Sequence, residues 1–591
     1  MLGAVVNSEV WAVAMKSIFA SKILTRGLVL WLLLLLLAPQ IWLWPQKTLS
    51  QVLLYGLLPA LLLLLLLLSC SRYLHRSVWL WLPFALMAPQ ELFYLSTYQK
   101  STDAHAMAII AETDLAEAAG YLSGLGWLII PAVLLLLLLF ALCSAMFKVQ
   151  QLHWPRYARP AIWLLCALGA GWVWQQEVQY RRDYPVQAGR NATETALSQR
   201  PLPQSHNLFY QSYPLNLVLA ANEFRVQRSA LAAVAATVAE FKFGAQQINK
   251  VSERQIYLLV IGETLRPDRL QLNGYARPTT PRLAGLGDVV SFGNMISPWA
   301  WTRMSVPVII SRKSAQDQSY FSRETSLVAA FKEAGFYTSW LSTQSPLGVH
   351  DSSVALHASE ADEVQYLNPV GYKKEGYYDD ILLKAVQRVL ASGQQKQLIV
   401  LHTLGSHFSY ADRYPPAFDL FRPSGKGQAV SMHNPQNKTL LNNAYDNSVA
   451  FTDAWLFGLI QQLKQQQAIS SLLLVSDHGE NIFDGNCDKS GHGHHTEFDY
   501  RVAALWWGSD KFHQAYPAQV ALLQQRQQAP LMTSHTFETM LDLAQIRYPG
   551  QRTEQSFAAP AFQPGPRLLS SGQDFDRTPV EQQCRALPLL H

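Results

Sequence analysis

The sequence predicts two parts: a five-helix transmembrane domain over residues 1–174, and an α/β domain over 251–591 with a mainly parallel central sheet flanked by helices. A helical linker, 175–250, joins them. Three observations carry this reading. Long apolar runs are confined to the first third of the chain. After residue 255, short β-branched and leucine-rich runs alternate with amphipathic helical stretches. The segment between is polar, Ala/Gln-rich and broken by Pro201 and Pro203. At 591 residues the chain is too long for one core.

A membrane helix needs about 20 apolar residues to cross the hydrocarbon layer. Segments 27–44, 50–70, 78–94, 122–147 and 161–174 are the expected spans. The second and fourth contain uninterrupted leucine runs, which a soluble core helix would break with polar positions on its outer face. The fifth is the shortest and contains glycines. Residues 1–15 lack a signal-peptide pattern, Met15-Lys16 reads as a natural start, and the first span is expected to stay as an anchor.

Loop charges orient the bundle. Lys16, Lys22 and Arg26 precede the first span, Arg72 and Arg76 separate the second and third, and Lys148, Arg156 and Arg159 separate the fourth and fifth. The loop at 96–121 is acidic, with Asp103, Glu112, Asp114 and Glu117 against Lys100. The N-terminus is therefore expected inside, and an odd number of spans places the α/β domain outside the cytoplasm. The net charge of +5 is explained by these orienting loops. No dense basic block or basic–aromatic interleaving points to nucleic acid, and none is expected as a partner. Cys70, Cys143 and Cys166 read as small hydrophobes in apolar runs, whereas Cys487 and Cys584 are able to pair in an oxidising compartment.

In the second part, strands are expected at 256–261, 337–341, 398–402, 471–476 and 502–507, with helices at 326–333, 379–390 and 447–466. Such sheets collect ligands beyond the carboxyl ends of their strands, and the metal-capable residues fall there. Glu263 follows the first strand, Asp477-His478 the fourth, and His407 lies just past the third. His492, His494 and His495 follow in a glycine-rich stretch. Carboxylates and imidazoles gathered at strand ends suit zinc, or less well manganese. Taken singly, each has a structural alternative: a helix cap, a strand end, a solvated loop.

The stretches Ile261-Gly262-Glu263-Thr264, Leu272-Asn273-Gly274-Tyr275, Thr302-Arg303-Met304-Ser305-Val306-Pro307, His402-Thr403-Leu404-Gly405-Ser406-His407, Tyr445-Asp446-Asn447 and Ser476-Asp477-His478-Gly479-Glu480, in this order, resemble the bacterial phosphoethanolamine transferases of the alkaline phosphatase superfamily. The resemblance implies an alkaline-phosphatase-like fold and a zinc ion, with a second possible, held by Glu263, Thr302, Asp477 and His478. It makes Thr302 the nucleophile in preference to Thr264. His407 and His492 match histidines that line the phosphoryl site or hold the second metal, with His494 and His495 as alternatives to His492. Glu480, Glu117 and Thr113 match substrate-facing positions. Two departures stand out: Pro298 and Val308 occupy places where lipid A-modifying members carry cysteines, and Ile109 stands where an asparagine is expected.

The function so implied is transfer of phosphoethanolamine from phosphatidylethanolamine, through a phospho-threonine, to lipid A, lipopolysaccharide core or periplasmic glucan. The enzyme would be a multi-pass protein of the bacterial inner membrane with its catalytic domain in the periplasm. A glycerophosphate transferase of the lipoteichoic-acid-synthase type and a sulfatase-like hydrolase are the alternatives. The second lacks the Cys/Ser-x-Pro-x-Arg context that formylglycine formation needs.

Overall fold

The computed structural model describes residues 19–43, 48–98, 101–112, 126–183, 209, 212–238, 240–249, 251–316, 323–344, 353–368, 378–428 and 430–588. The chain divides into two compact units, one built from the helices up to Gln227 and the other from Arg228 to His591.

The first unit contains α1 (Lys22–Leu43), α2 (Leu49–Ser69), α3 (Leu82–Tyr98), α4 (Ala104–Glu112), α5 (Gly126–Val149), α6 (Ala158–Asp183) and most of α7 (Leu215–Val238). Among the described helices, α1, α2 and α5 are long and apolar enough to cross a membrane, by length and composition. The other two expected spans are also helical but do not meet that measure. α3 has 17 residues and carries Glu91, and α6 runs beyond residue 174 through a polar end to Asp183. Buried polar groups need partners, and Glu91 has them: its carboxylate accepts from Asn216 Nδ2 at 2.8 Å and from the Thr102 N–H. Ser212 Oγ donates to the Gly56 carbonyl at 2.8 Å, so the start of α7 is tied to two helices of its own unit.

The second unit is organised on an eight-stranded sheet. Its strands are β1 (Gln255–Gly262), β2 (Val290–Ile296), β3 (Tyr337–Ser342), β4 (Glu363–Tyr366), β5 (Lys396–His402), β6 (Ile469–Ser476), β7 (Arg501–Gly508) and β8 (Leu531–Met532), in the spatial order β8-β2-β7-β6-β1-β5-β3-β4. Strand β1 lies between β5 and β6 and is buried throughout. Its alternate side chains enter two cores: Tyr257, Leu259 and Ile261 on one face, Ile256, Leu258 and Val260 on the other. This two-faced burial is what a strand of continuous apolar character requires. Helices α8 (Thr302–Ile310), α9 (Leu327–Glu333) and α10 (Ile381–Ala391) follow, with the long α11 (Lys438–Gln465) and α12 (Thr536–Leu543).

All five expected strands form, and the sheet is mainly parallel with one exception. β7 is antiparallel to both β2 and β6. The chain leaves β6 at the carboxyl end of the sheet and re-enters β7 from that same end, so β7 must run backwards. The excursion between them, 477–500, stays beside the strand tips and carries the glycine- and histidine-rich stretch.

Cys487 and Cys584 form a disulfide, Cα to Cα 4.7 Å, across 97 residues. It fastens the excursion to the C-terminal tail. The tail is also held by the Leu587 N–H on the His495 carbonyl at 2.7 Å and the Glu497 N–H on the Arg585 carbonyl at 2.9 Å. Closing a loop of this length is worth about 2–5 kcal/mol. Cys584→Ser should therefore lower the stability of the second unit by roughly that amount, measured by denaturant titration under oxidising conditions; an unchanged midpoint would deny the bridge a structural role.

Candidate metal centre

The register of two parallel strands creates the centre. Gly262 of β1 is paired with Ser476 of β6, so the next residues, Glu263 and Asp477, leave the sheet side by side. Both are shut away from solvent, at 1% and 0% exposure, and His478 is equally buried. Burial first, and then the charge of Asp477, push the Glu263 carboxyl well above the usual carboxylate range.

Thr302 is the first residue of α8, and its hydroxyl reaches this group. Oγ1 donates to Glu263 Oε2 at 3.1 Å and lies 3.2 Å from His478 Nε2. His478 Nε2 is 3.4 Å from both Glu263 Oε1 and Asp477 Oδ2. Its other nitrogen, Nδ1, sits 2.9 Å from the Gly479 carbonyl. That contact selects the tautomer protonated on Nδ1 and turns the Nε2 lone pair inward. The four side chains expected to act together therefore meet. The ligand atoms of Glu263, Asp477 and His478 lie within 4.8 Å of one another.

The donor set fits a divalent cation. Asp477 Oδ1 accepts from the backbone N–H groups of Thr264 and His478, at 3.1 and 2.7 Å. Its Oδ2 has no hydrogen-bond partner among the described residues and points toward Glu263 and His478. Two adjacent buried carboxylates with one imidazole and one hydroxyl make a zinc-like set of oxygen and nitrogen donors.

Further side chains fix these ligands. Thr264 Oγ1 donates to Glu263 Oε1 at 2.6 Å, while Gln344 Nε2 donates to Glu263 Oε2 at 3.1 Å and to the Thr403 carbonyl at 2.9 Å. Thr264 holds a φ of +59°, unfavourable for a β-branched residue, and strain of this kind collects at functional sites. Gly405, at φ +47°, packs so closely that a Cβ would lie 2.6 Å from the Glu263 carbonyl oxygen. Asp379 holds this loop by accepting from the N–H groups of Leu404 and Gly405 at 3.0 and 2.8 Å.

Beside the centre lies a second group. The His492 ring is centred 4.3 Å from that of His478, and its Nδ1 is 2.9 Å from Glu480 Oε2. Tyr410 donates to the other oxygen of Glu480 at 2.7 Å. Burial pushes His492 down to about 4 and Glu480 up to about 7. His407 is pushed down to about 3 by burial, then by Arg413 and His492. At neutral pH both histidines are uncharged. The arrangement selects His492 from the glycine-rich stretch: His494 Nε2 contacts the Ser490 carbonyl at 2.9 Å, and His495 Nδ1 contacts the Tyr500 hydroxyl at 2.8 Å. Glu480, matched to a substrate-facing position, is buried behind His492 with both oxygens engaged. Thr113 and Glu117 lie outside the described residues. Sequence does not mark Gln344, Tyr410, Thr264 and Asp379 as supports, because each acts through tertiary contacts and belongs to no local pattern of metal-binding residues.

A family model described as sulfatase matches residues 255–546. The chain carries a sulfatase-family domain. Its curated relatives include proteins named as phosphoethanolamine transferases. The phosphoethanolamine transferase EptC of Escherichia coli K12 is 27% identical over 349 residues, covering 56% of this chain and 59% of the relative. The Kdo(2)-lipid A phosphoethanolamine 7''-transferase of the same organism is 30% identical over 282 residues, 46% of this chain and 47% of its own. The matches thus span about half to three-fifths of these relatives' length. Among solved structures, the C-terminal periplasmic domain of EptC from Escherichia coli aligns at 25% identity with a TM-score of 0.51, covering 56% of this chain and 95% of that one. The integral membrane lipooligosaccharide phosphoethanolamine transferase A of Neisseria meningitidis shares the fold over 92% of this chain and 97% of its own, at 20% identity and a TM-score of 0.62. A further structure of the EptC periplasmic domain is a complex with zinc.

Removing the support of a metal ligand costs about 10–100-fold in affinity. Gln344→Ala in the sulfatase-family domain should weaken zinc binding by about tenfold, read by competition with a fluorescent chelator. Asp477→Ala should remove stoichiometric zinc altogether, read by elemental analysis. Full zinc occupancy in Asp477→Ala would remove this residue from the ligand set.

Proposed function

We propose that this protein transfers phosphoethanolamine from phosphatidylethanolamine to an envelope glycolipid or glucan, acting from the periplasmic face of the bacterial inner membrane with Thr302 as nucleophile. The observation that carries the proposal is the convergence of one hydroxyl, Thr302 Oγ1, on Glu263 and His478 beside the unsatisfied oxygen of Asp477. The relatives named as phosphoethanolamine transferases give the transferred group. The apolar helices of the first unit supply the anchor, and five spans are proposed, with α3 and α6 completing α1, α2 and α5.

A threonine hydroxyl is scarcely ionised at neutral pH and needs activation. Glu263, Thr302, Asp477 and His478 would hold zinc, which when bound stabilises negative charge on the threonine and phosphoryl oxygens. The Thr302 oxygen forms a bond to the phosphorus of the donor, and the bond from phosphorus to the diacylglycerol oxygen breaks. The hydroxyl proton leaves along the hydrogen bond toward Glu263, and the diacylglycerol oxygen takes up a proton. His492 and His407, neutral at the working pH, offer ring nitrogens to the phosphoryl oxygens or the leaving oxygen. The position of Thr302 at the start of α8 adds favourable helix-dipole charge near the developing anion. An acceptor hydroxyl or phosphate then attacks the phospho-threonine and restores Thr302. Lipid A, lipopolysaccharide core and periplasmic glucan remain the acceptor classes, and the absence of cysteine at Pro298 and Val308 sets this chain apart from the lipid A-modifying pattern.

Incubating the purified chain with phosphatidylethanolamine and no acceptor should leave phosphoethanolamine on the tryptic peptide containing Thr302, read by mass spectrometry. Thr302→Ala should reduce transfer by at least 10³-fold, in keeping with loss of a nucleophile. Thr264→Ala should retain the covalent adduct while binding zinc more weakly. A glycerophosphate adduct from phosphatidylglycerol in its place would convert the reading to the lipoteichoic-acid-synthase type of transferase.

A further inference from the structure

Trp301 immediately precedes the proposed nucleophile, and its ring reaches the histidine-bearing excursion. The indole meets the His492 ring edge to face, centroids 4.9 Å apart at 83°. It also packs closely against the backbone at Gly493. A Cβ on that residue would come within 2.3 Å of the indole, and Gly493 has a φ of +85° that favours glycine in any case. The Gly493 N–H donates to buried Asp499 at 3.0 Å, so the backbone under the indole is itself fixed. Trp301 is further packed on a small cluster that includes Ile296, Ala300, Tyr500 and Phe575. Its carbonyl accepts the N–H groups of Met304 and Ser305, at 3.0 and 2.9 Å, which form the first turn of α8.

One residue therefore joins two pieces that chemistry requires to stay in register: the first turn of the nucleophile helix and the loop presenting His492. We propose that Trp301 is a positioning residue, a non-covalent clamp that holds His492 in place relative to Thr302. His492 is then located from three sides: Glu480 at Nδ1, His478 beside its ring and Trp301 at right angles to it. Aromatic contacts of this geometry contribute only modestly to stability, but a misplacement of about 1 Å at a reacting group costs on the order of 10²-fold in rate. The consequence is expected in kcat more than in folding. The rate effect rests on the transfer reaction proposed above, whereas the clamp itself does not.

Two measurements on the full-length chain in detergent separate these ideas. In hydrogen exchange read by mass spectrometry, Trp301→Ala should speed exchange of the peptide covering 490–496 by at least tenfold, with the β1 peptide 255–262 unchanged as a folding control. Trp301→Phe, which keeps an aromatic ring, should restore most of that protection. In transfer from phosphatidylethanolamine, Trp301→Ala should lower kcat by 10–100-fold with the donor KM within twofold of wild type, and Trp301→Phe should recover at least a third of kcat. Gly493→Ala should reproduce the kcat loss and add little to it in the Trp301→Ala background, because both changes break the same contact. Unchanged exchange at 490–496 in Trp301→Ala overturns the clamp, as does a loss confined to KM or an additive double variant. Should wild-type protein transfer nothing from phosphatidylethanolamine, the proposed function fails, and the exchange result alone decides the clamp.

Discussion

The organisation of the second unit depends on two carboxylates, Glu263 and Asp477, held side by side away from water. Paired buried anions repel each other and lose hydration, so a fold tolerates them only where hydrogen bonds and a counter-charge are supplied. Hydrogen bonds are supplied abundantly: Thr264, Thr302 and Gln344 reach Glu263, and two backbone N–H groups reach one oxygen of Asp477. Among the described residues, the second Asp477 oxygen is left without one. A divalent cation would resolve that electrostatic problem, and the surrounding side chains are placed to support Glu263 and Asp477 as its ligands. The sheet fixes the separation of the pair, because adjacent parallel strands in register deliver consecutive tips to the same place.

The same logic shows which parts of the structure are legible in sequence. Strand β1 is readable because both faces are buried, so six successive apolar residues leave no other element of that length. Glu263, Asp477 and His478 are readable because they follow such runs directly. The direction of β7 is not, since a strand of given composition runs either way and only the return path of 477–500 decides it. β8 is too short to produce a pattern, at two residues. The choice among His492, His494 and His495 is likewise tertiary. All three have the same local chemistry, and the hydrogen bonds of His494 to Ser490 and His495 to Tyr500 turn two of them elsewhere. Gln344 bridges two distant loops through a single amide, an interaction with no counterpart in linear spacing.

Glu480 illustrates how position and role separate. Its motif places it two residues beyond His478, and the resemblance assigned it to the substrate. In the fold it is buried between Tyr410 and His492. A carboxylic group raised to about 7 beside an imidazole lowered to about 4 forms a pair in which the proton resides on the oxygen below about pH 7. In that state Glu480 donates to Nδ1 and leaves His492 Nε2–H as a donor toward the site. The pair thereby sets which hydrogen-bonding face His492 presents, without requiring the imidazole to become charged.

The two halves of the site are stabilised by different means. The strand-tip half inherits its rigidity from an eight-stranded sheet with both faces packed. The histidine-bearing half is a glycine-rich loop with little internal structure, and chain entropy would leave it mobile. It is therefore tied at many points: Asp499 takes N–H groups from Gly493 and Thr496 and an amide from Asn481, the Glu497–Arg585 ion pair bonds it to the tail, and the Cys487–Cys584 bridge closes the loop covalently. The segment around Thr302, the proposed nucleophile, carries no cysteine at Pro298 or Val308 and so has no bridge of its own. Its rigidity must come from packing, which places the covalent restraint of this domain on the loop that presents His492 and leaves the threonine to be held by α8 and the sheet.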